Sequence, residues 1–264
     1  MSGVLHGKRI VNTRPVHQAA ALDRLLEERG AIPLPYPCIA IEPPADYTAL
    51  DRALQNLVDG QYRWLIITSS NTVQAVGFRL AELGVALSDG VQIAVVGPST
   101  AAAVQEVFSR APQFMPDRYD AEALAVGLPM RSGETVLAPG SNIARPELVR
   151  ILADRGAKVT SVVAYQTVTG SGGVDLRGMV SDGAVDALTF ASSSAVEGLF
   201  QRLANEGGDT SSLLDIPAFC IGESTRQTAE GFGLRVRAAS TQTLEGMGET
   251  LERYFAPVVS GGRV

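Results

Sequence analysis

The residues whose type and spacing point to chemistry are hydroxyl side chains at the ends of short apolar runs. Leu65-Ile66-Ile67 runs into Thr68-Ser69-Ser70-Asn71, and Ala187-Leu188-Thr189-Phe190 runs into Ala191-Ser192-Ser193-Ser194. Ser69, Ser70 and Val73 recur at one constant offset as Ser192, Ser193 and Val196. A second pair follows them, Val95-Val96-Gly97-Pro98-Ser99-Thr100 and Cys220-Ile221-Gly222-Glu223-Ser224-Thr225. A strand that stops at small hydroxyl or glycine residues and then feeds a helix directs several backbone amides to one point. With the helix dipole behind it, such a point attracts anions. Helix capping alone explains Ser, Thr or Gly at any single junction. Four junctions in register weaken that explanation and favour an anion-binding surface built twice.

Other chemistries lack their residues. The two histidines, His6 and His17, lie near the N-terminus and leave no Ser-His-Asp or Cys-His arrangement in the body of the chain. Cys38 and Cys220 are far apart and sit in apolar, strand-like contexts, so they read as reduced and buried. No zinc or haem ligand cluster and no GxGxxG or Walker pattern occurs, so no metal, dinucleotide or nucleoside triphosphate is expected. The formal net charge is −6, and lysine occurs only at Lys8 and Lys158, with a pI near 5.1. Nucleic acid is therefore not an expected partner. The longest apolar runs are strand-sized and the first residues lack the apolar stretch of a signal peptide, so neither membrane nor export is expected and the location is read as cytoplasmic.

The surrounding elements repeat as well. The segment 8–14 reads as a strand broken at Pro15, 18–29 as a helix with apolar spacing at Leu22, Leu25 and Leu26, and Gly30 as its left-handed stop. Its counterpart is the segment 134–140, then a helix near 146–155 and Gly156, with Arg29-Gly30-Ala31 matching Arg155-Gly156-Ala157. Two extended segments, the proline-punctuated 35–44 and 162–170, fall at equivalent places and are expected to pair as a hinge. Helices are expected over 47–59, 72–83, 100–108, 195–203, 225–232 and 244–255, and a loop over 258–264. Short strands alternating with helices of about ten residues give an α/β protein with parallel sheets.

Taken in order, Thr13-Arg14-Pro15, Thr68-Ser69-Ser70-Asn71, Val96-Gly97-Pro98-Ser99-Thr100, Ala164-Tyr165-Gln166-Thr167, Phe190-Ala191-Ser192-Ser193-Ser194 and Ile221-Gly222-Glu223-Ser224-Thr225 span nearly the whole chain. Together they resemble the uroporphyrinogen-III synthase family, the cyclases of tetrapyrrole biosynthesis. The resemblance implies two similar lobes with parallel β-sheets flanked by helices, joined by a two-stranded extended connector with a cleft between them. Lobe one would comprise 1–36 plus 169–264, and lobe two 37–168. The implied substrate is hydroxymethylbilane, a linear tetrapyrrole octacarboxylate, dehydrated and cyclised with inversion of ring D and without any cofactor. A monomer is expected.

In that chemistry the pyrrole nitrogens supply the electron push, and the protein helps a hydroxyl group leave while it holds the chain folded. By resemblance Tyr165 is the catalytic candidate. Ser69, Ser70, Thr100, Ser192, Ser193 and Thr225 would bind carboxylates, with Arg14 and Arg145 as cationic partners. The sequence departs from its own repeat at Glu223, which stands where the first copy has Pro98; a carboxylate there either points away or caps its helix. The competing reading is a non-catalytic two-lobe protein that closes on a small polyanion.

Overall fold

The apolar runs fold as short parallel strands and the periodic stretches as helices in a computed structural model that describes residues 3–257. The chain divides into two units, one comprising residues up to Ala40 together with those from Val168 onward, the other Ile41–Thr167. The expected loop at 258–264 lies outside the described residues.

The first unit contains β1 (Arg9–Asn12), α1 (Val16–Glu28) and β2 (Ile32–Pro35) from the front of the chain. From the back it takes α7 (Leu176–Ser181), β8 (Ala187–Phe190), α8 (Ser193–Asn205), β9 (Pro217–Cys220), α9 (Glu223–Gly231), β10 (Arg235–Ala238) and α10 (Leu244–Phe255). Its sheet runs β10-β9-β8-β1-β2 with every pair parallel. The second unit holds α2 (Thr48–Val58), β4 (Trp64–Ile67), α3 (Ser70–Leu83), β5 (Gln92–Val95), α4 (Pro98–Phe108), α5 (Ala121–Gly127), β6 (Thr135–Ser141) and α6 (Glu147–Asp154). With β3 (Ile39–Glu42) and β7 (Lys158–Thr169) these strands form the sheet β3-β7-β6-β4-β5. The two sheets share a four-strand core, β9-β8-β1-β2 in one and β5-β4-β6-β7 in the other. That correspondence is the sequence repeat: β4 matches β8, β5 matches β9 and β1 matches β6. Each unit therefore combines the front of one repeat with the back of the other.

The central strands of both sheets, such as β4 and β8, are buried on both faces, because strand side chains alternate and each face meets its own helices. In β4, Leu65 and Ile67 join the core with α2, α3 and α4, while Trp64 and Ile66 join the one with α5 and α6. In the first unit Leu188 and Phe190 pack toward α8 and α9, and Ala187 faces α1 and α10.

Four helices begin two residues before their apolar periodicity does. Ser69, Gly97, Ser192 and Gly222 are extended N-caps, so α3, α4, α8 and α9 start at Ser70, Pro98, Ser193 and Glu223. Their first turns are small and polar, and periodicity does not register them. The short α5 and α7 and the edge strand β10, whose Arg235 and Arg237 face solvent, escaped sequence reading for the same want of an apolar pattern.

The chain passes between units inside β3 and inside β7, which are hydrogen-bonded neighbours. In the first unit the flanking segments are tied together, with Gly170 N donating to Cys38 O at 3.0 Å and Val174 N to Pro35 O at 2.9 Å. Glycine is needed here, since a Cβ on Gly170 would lie 2.0 Å from Pro37 O and one on Gly173 2.0 Å from Pro35 O. Arg202 of α8, only 6% exposed, closes the arrangement. Its Nη1 donates to Pro37 O and its Nη2 to Gly172 O, both at 2.7 Å, and its Nε donates to Glu206 Oε1 at 2.8 Å. The guanidinium also stacks on Tyr36, 3.7 Å from the ring centroid, and the Tyr36 hydroxyl donates to Glu206 Oε2 at 2.8 Å. Burial raises the pKa of the Tyr36 phenol and of the Cys38 thiol, so both stay neutral beside this cation.

Arg202→Met keeps the side-chain length but removes the donor from two carbonyls and the cation from Glu206. It should cost about 2–4 kcal/mol in urea denaturation. Arg150→Met, which removes an exposed pair with Asp154, should change stability by less than about 0.5 kcal/mol.

Candidate functional site

Parallel strands send every strand-to-helix turn to the carboxyl edge of the sheet, and open α/β sheets bind ligands where the strand order reverses. In the first unit that reversal lies between β1 and β8, at Thr13-Arg14 and Ala191-Ser192-Ser193; in the second it lies between β4 and β6, at Thr68-Ser69 and Gly140-Ser141. The repeat holds down to backbone angles. Ser69 (φ −150°, ψ 154°) accepts the Thr72 amide on its Oγ, and Ser192 (φ −155°, ψ 156°) accepts the Ala195 amide in the same way, each at 3.2 Å. Gly97 and Gly222 cap α4 and α9 with no side-chain oxygen, so their first-turn amides meet no competing cap.

Tyr165 reaches the second unit's junction through an irregularity. The β6–β7 register runs Pro139 opposite Val162 and Gly140 opposite Val163, then shifts so that Ser141 faces Tyr165. This bulge at Ala164 breaks the side-chain alternation and lets Ala164 and Tyr165 enter the same core. Beyond it, Asn142 N donates to Tyr165 O, Thr167 N donates to Asn142 Oδ1, and the Ser141 and Thr167 hydroxyls lie 2.8 Å apart, which fixes the end of β7. The Tyr165 ring is 8% exposed, and its hydroxyl lies 3.1 Å from Ser69 Oγ. Tyr165 is therefore both a packed strand tyrosine and a phenol at the strand-to-helix turn.

The other candidates differ in how much of their polar surface remains available. Ser70 and Ser193 open α3 and α8 and are half-buried. The Ser193 Oγ donates to Ser224 O at 3.2 Å and accepts from Thr228 at 2.9 Å, which ties the two helix starts of the first unit together. Thr100 and Thr225 sit in the first turns of α4 and α9 and are 4% and 5% exposed. Arg14 follows β1; its Nε donates to Gln18 O at 2.9 Å and its Nη2 to Gln18 Oε1 at 3.3 Å. Both acceptors are neutral, so they leave its charge uncancelled, and burial lowers its pKa. Arg145 is exposed in the loop between β6 and α6. Glu223 neither caps α9 nor stands alone. Arg226 Nε and Nη2 meet its two oxygens at 2.8 and 2.6 Å, which neutralises it at the turn.

Sequence reasoning missed Asn12, a buried amide that donates to Ala19 O and Asp23 Oδ1 and accepts the Arg14 amide, so it sets the turn that carries Arg14. It also missed Thr72, whose hydroxyl touches Ser69. Asn12 precedes a hydroxyl and a cation in Asn12-Thr13-Arg14, which was a usable signal; the link from Ser69 to Tyr165 crosses the sheet and leaves none. Among the described residues no group of three His, Cys, Asp or Glu side chains could hold a metal ion, and no helix is long and apolar enough to cross a membrane.

The model of the uroporphyrinogen-III synthase (HemD) family matches residues 20–249. The chain belongs to the uroporphyrinogen-III synthase family. It is 31% identical to the uroporphyrinogen-III synthase of Synechococcus elongatus, over 95% of this chain and 96% of that one. It is also 31% identical to the porphyrin biosynthesis protein HemD of Ruminiclostridium josui, but spans only 48% of that longer protein. The fold matches a crystal structure of Thermus thermophilus uroporphyrinogen III synthase with a TM-score of 0.70 at 22% identity, covering 94% of this chain and 97% of the other. These relatives bear out the α/β fold and the family reading drawn from the ordered motifs.

The Arg226 pairing has a measurable signature. Hydrogen bonds from Arg226 hold the Glu223 carboxyl at about 2, against an ordinary value of 4.5. Because the folded value lies below the unfolded one, the pairing stabilises the fold above pH 4.5 and its contribution fades as pH falls toward 2. Carboxyl NMR titration should find Glu223 at the low value, and Arg226→Gln should move it back up toward 4.5.

Proposed function

We propose that this chain converts hydroxymethylbilane into uroporphyrinogen III, a dehydrating cyclisation with inversion of ring D, and thus acts as a lyase of porphyrin biosynthesis. Family membership over residues 20–249 carries the reading. Two units, divided after Ala40 and after Thr167, support a two-lobe organisation. A cytoplasmic location and a monomer belong to the proposal; the free, buried Cys38 and Cys220 suit a reducing compartment.

In this reading Tyr165 assists departure of the substrate's hydroxyl group. The bulge that turns its phenol to the Ser69 junction supports that role. As the C–O bond breaks, the pyrrole nitrogen lone pair fills the electron gap and the phenol gives its proton to the departing oxygen, which leaves as water. The proton is restored when the new ring junction loses one to regain aromaticity. A phenol is a weak acid, adequate for a leaving group already pushed from within the substrate. Carboxylates would meet the turns of both units, at Ser69, Ser70, Thr100, Ser192, Ser193 and Thr225, with Arg14 and Arg145 as cations. The uncapped first turns after Gly97 and Gly222 favour backbone amides as the main partners.

Incubation with enzymatically generated hydroxymethylbilane followed by separation of isomers should yield the III isomer. Only the I isomer, from spontaneous closure, would reject the activity. Tyr165→Phe should fold normally and form the III isomer about 10²-fold more slowly, with the I isomer filling the gap. Ser70→Ala should cost only about 0.5–1.5 kcal/mol in kcat/KM, as one net hydrogen bond among many. Loss of all turnover in a folded Ser70→Ala protein would point to a concentrated catalytic hydroxyl instead.

A further inference from the structure

Ser69 Oγ has three polar neighbours: the Thr72 amide at 3.2 Å, Thr72 Oγ1 at 3.0 Å and the Tyr165 hydroxyl at 3.1 Å. A hydroxyl has one hydrogen to give and two lone pairs to receive. The amide can only donate, so it occupies one lone pair. Satisfying all three neighbours then requires that one of the other two hydroxyls donate to Ser69 and the remaining one accept from it. Thr72, Ser69 and Tyr165 thus form a chain of hydroxyls with two polarities. In one, Thr72 donates to Ser69 and Ser69 donates to Tyr165, which leaves the phenolic hydrogen for an acceptor outside the chain. In the other both bonds reverse and Tyr165 directs its hydrogen inward.

Helix capping does not call for this chain. Ser192 caps α8 with the same angles and the same amide distance, yet the residue in the Thr72 place is Ala195, which has no hydroxyl. Among the described residues, the hydroxyl that meets Ser192 Oγ is that of Ser194, two positions on, at 3.1 Å. The Thr72 hydroxyl is thus an addition to one copy of a repeated junction, the copy that meets Tyr165. Thr72 is also fully buried, at 0% exposure, so its hydroxyl is out of reach of a ligand and acts only through Ser69.

We propose that Thr72 and Ser69 are positioning residues for the cyclisation, and that their hydroxyl chain turns the Tyr165 phenolic hydrogen outward to the departing hydroxyl group. The inference rests on the role of Tyr165 given above. It moves Ser69 from the carboxylate contacts to the support of the phenol. When the phenol donates, negative charge grows on its oxygen, and the hydrogen bond already aimed there by Ser69 strengthens at that moment. Thr72 backs Ser69 in turn by holding its hydrogen away from Thr72 and toward Tyr165.

Thr72→Val keeps the branched shape and leaves the Ser69 cap on the backbone amide. It should lower kcat for the III isomer about three- to tenfold with KM unchanged, in proportion to one supporting hydrogen bond. Thr72→Ser should restore the rate. Should Thr72→Val unfold, Ser69→Gly removes the central hydroxyl while keeping a residue that caps helices well, and it should lower kcat at least as much. Combined with Tyr165→Phe, either substitution should cause no further fall, because the group it orients is gone. A wild-type kcat in folded Thr72→Val or Ser69→Gly overturns the inference, as does the same fold-loss with and without the Tyr165 hydroxyl, which marks a merely structural role. Tyr165→Phe with an undiminished III-isomer rate would instead remove the role of Tyr165 itself, and the inference with it. The single variants distinguish the two failures.

Discussion

Parallel strand pairing is the constraint on which the rest of this structure depends. Because the strands of each core run the same way, their carboxyl ends share one edge, and every turn into a helix must form there. Four-residue strands such as β1, β4, β8 and β9 are too short to vary where their turns fall. The strand-to-helix turns therefore gather along one edge of each sheet, and Tyr165, which lies within β7, needs the bulge to reach one of them. Burial on both faces follows from the same pairing and explains why the strands read as continuous apolar runs rather than as alternating ones.

Onto this repeated base the chain adds two local asymmetries. The β7 bulge at Ala164 gives the second unit a phenol at its turn, while the corresponding strand of the first unit, β2, stops at Pro35. Glu223 gives the first unit an acidic residue at a helix start, and Arg226 cancels it. The two units thus share a repeated set of strand-to-helix turns and differ in the side chains set on it, a phenol beside Ser69 in the second and a carboxylate paired with Arg226 in the first.

Much of this was legible in the sequence because it follows from local rules. Runs such as Leu65-Ile66-Ile67 before Ser69, and Gly30 in the left-handed stop, declare strands, caps and helix ends from adjacent residues alone. The family was legible because six short motifs keep their order over the chain. What escaped either lacks an apolar pattern, as α5, α7 and β10 do, or depends on contacts between distant positions. No spacing rule connects Arg202 with Pro37 and Gly172, or Ser69 with Tyr165, since sheet order and not sequence separation brings them together. The repeat offset likewise equates β1 with β6 but leaves open which halves share a sheet. The bulge could not be foreseen either, because Ala164-Tyr165 carries no glycine or proline to mark it.

The placement of one unit inside the sequence of the other has a consequence in time. Ile41–Thr167 is continuous, whereas the first unit waits for β8, β9 and β10 to complete a sheet begun by β1 and β2. On the ribosome, the segment emerging in the middle of synthesis has all the strands of its own core before the N-terminal strands find theirs. The earliest residues to be made thus meet their remaining sheet partners only after β8 and β9 are made, and until then Ile10, Val11 and Leu34 lack part of the core that buries them. A nascent chain stalled once β7 has cleared the exit tunnel should protect amides within 41–167 and leave those of β1 and β2 open to exchange; early protection of β1 would show that the first unit does not have to wait.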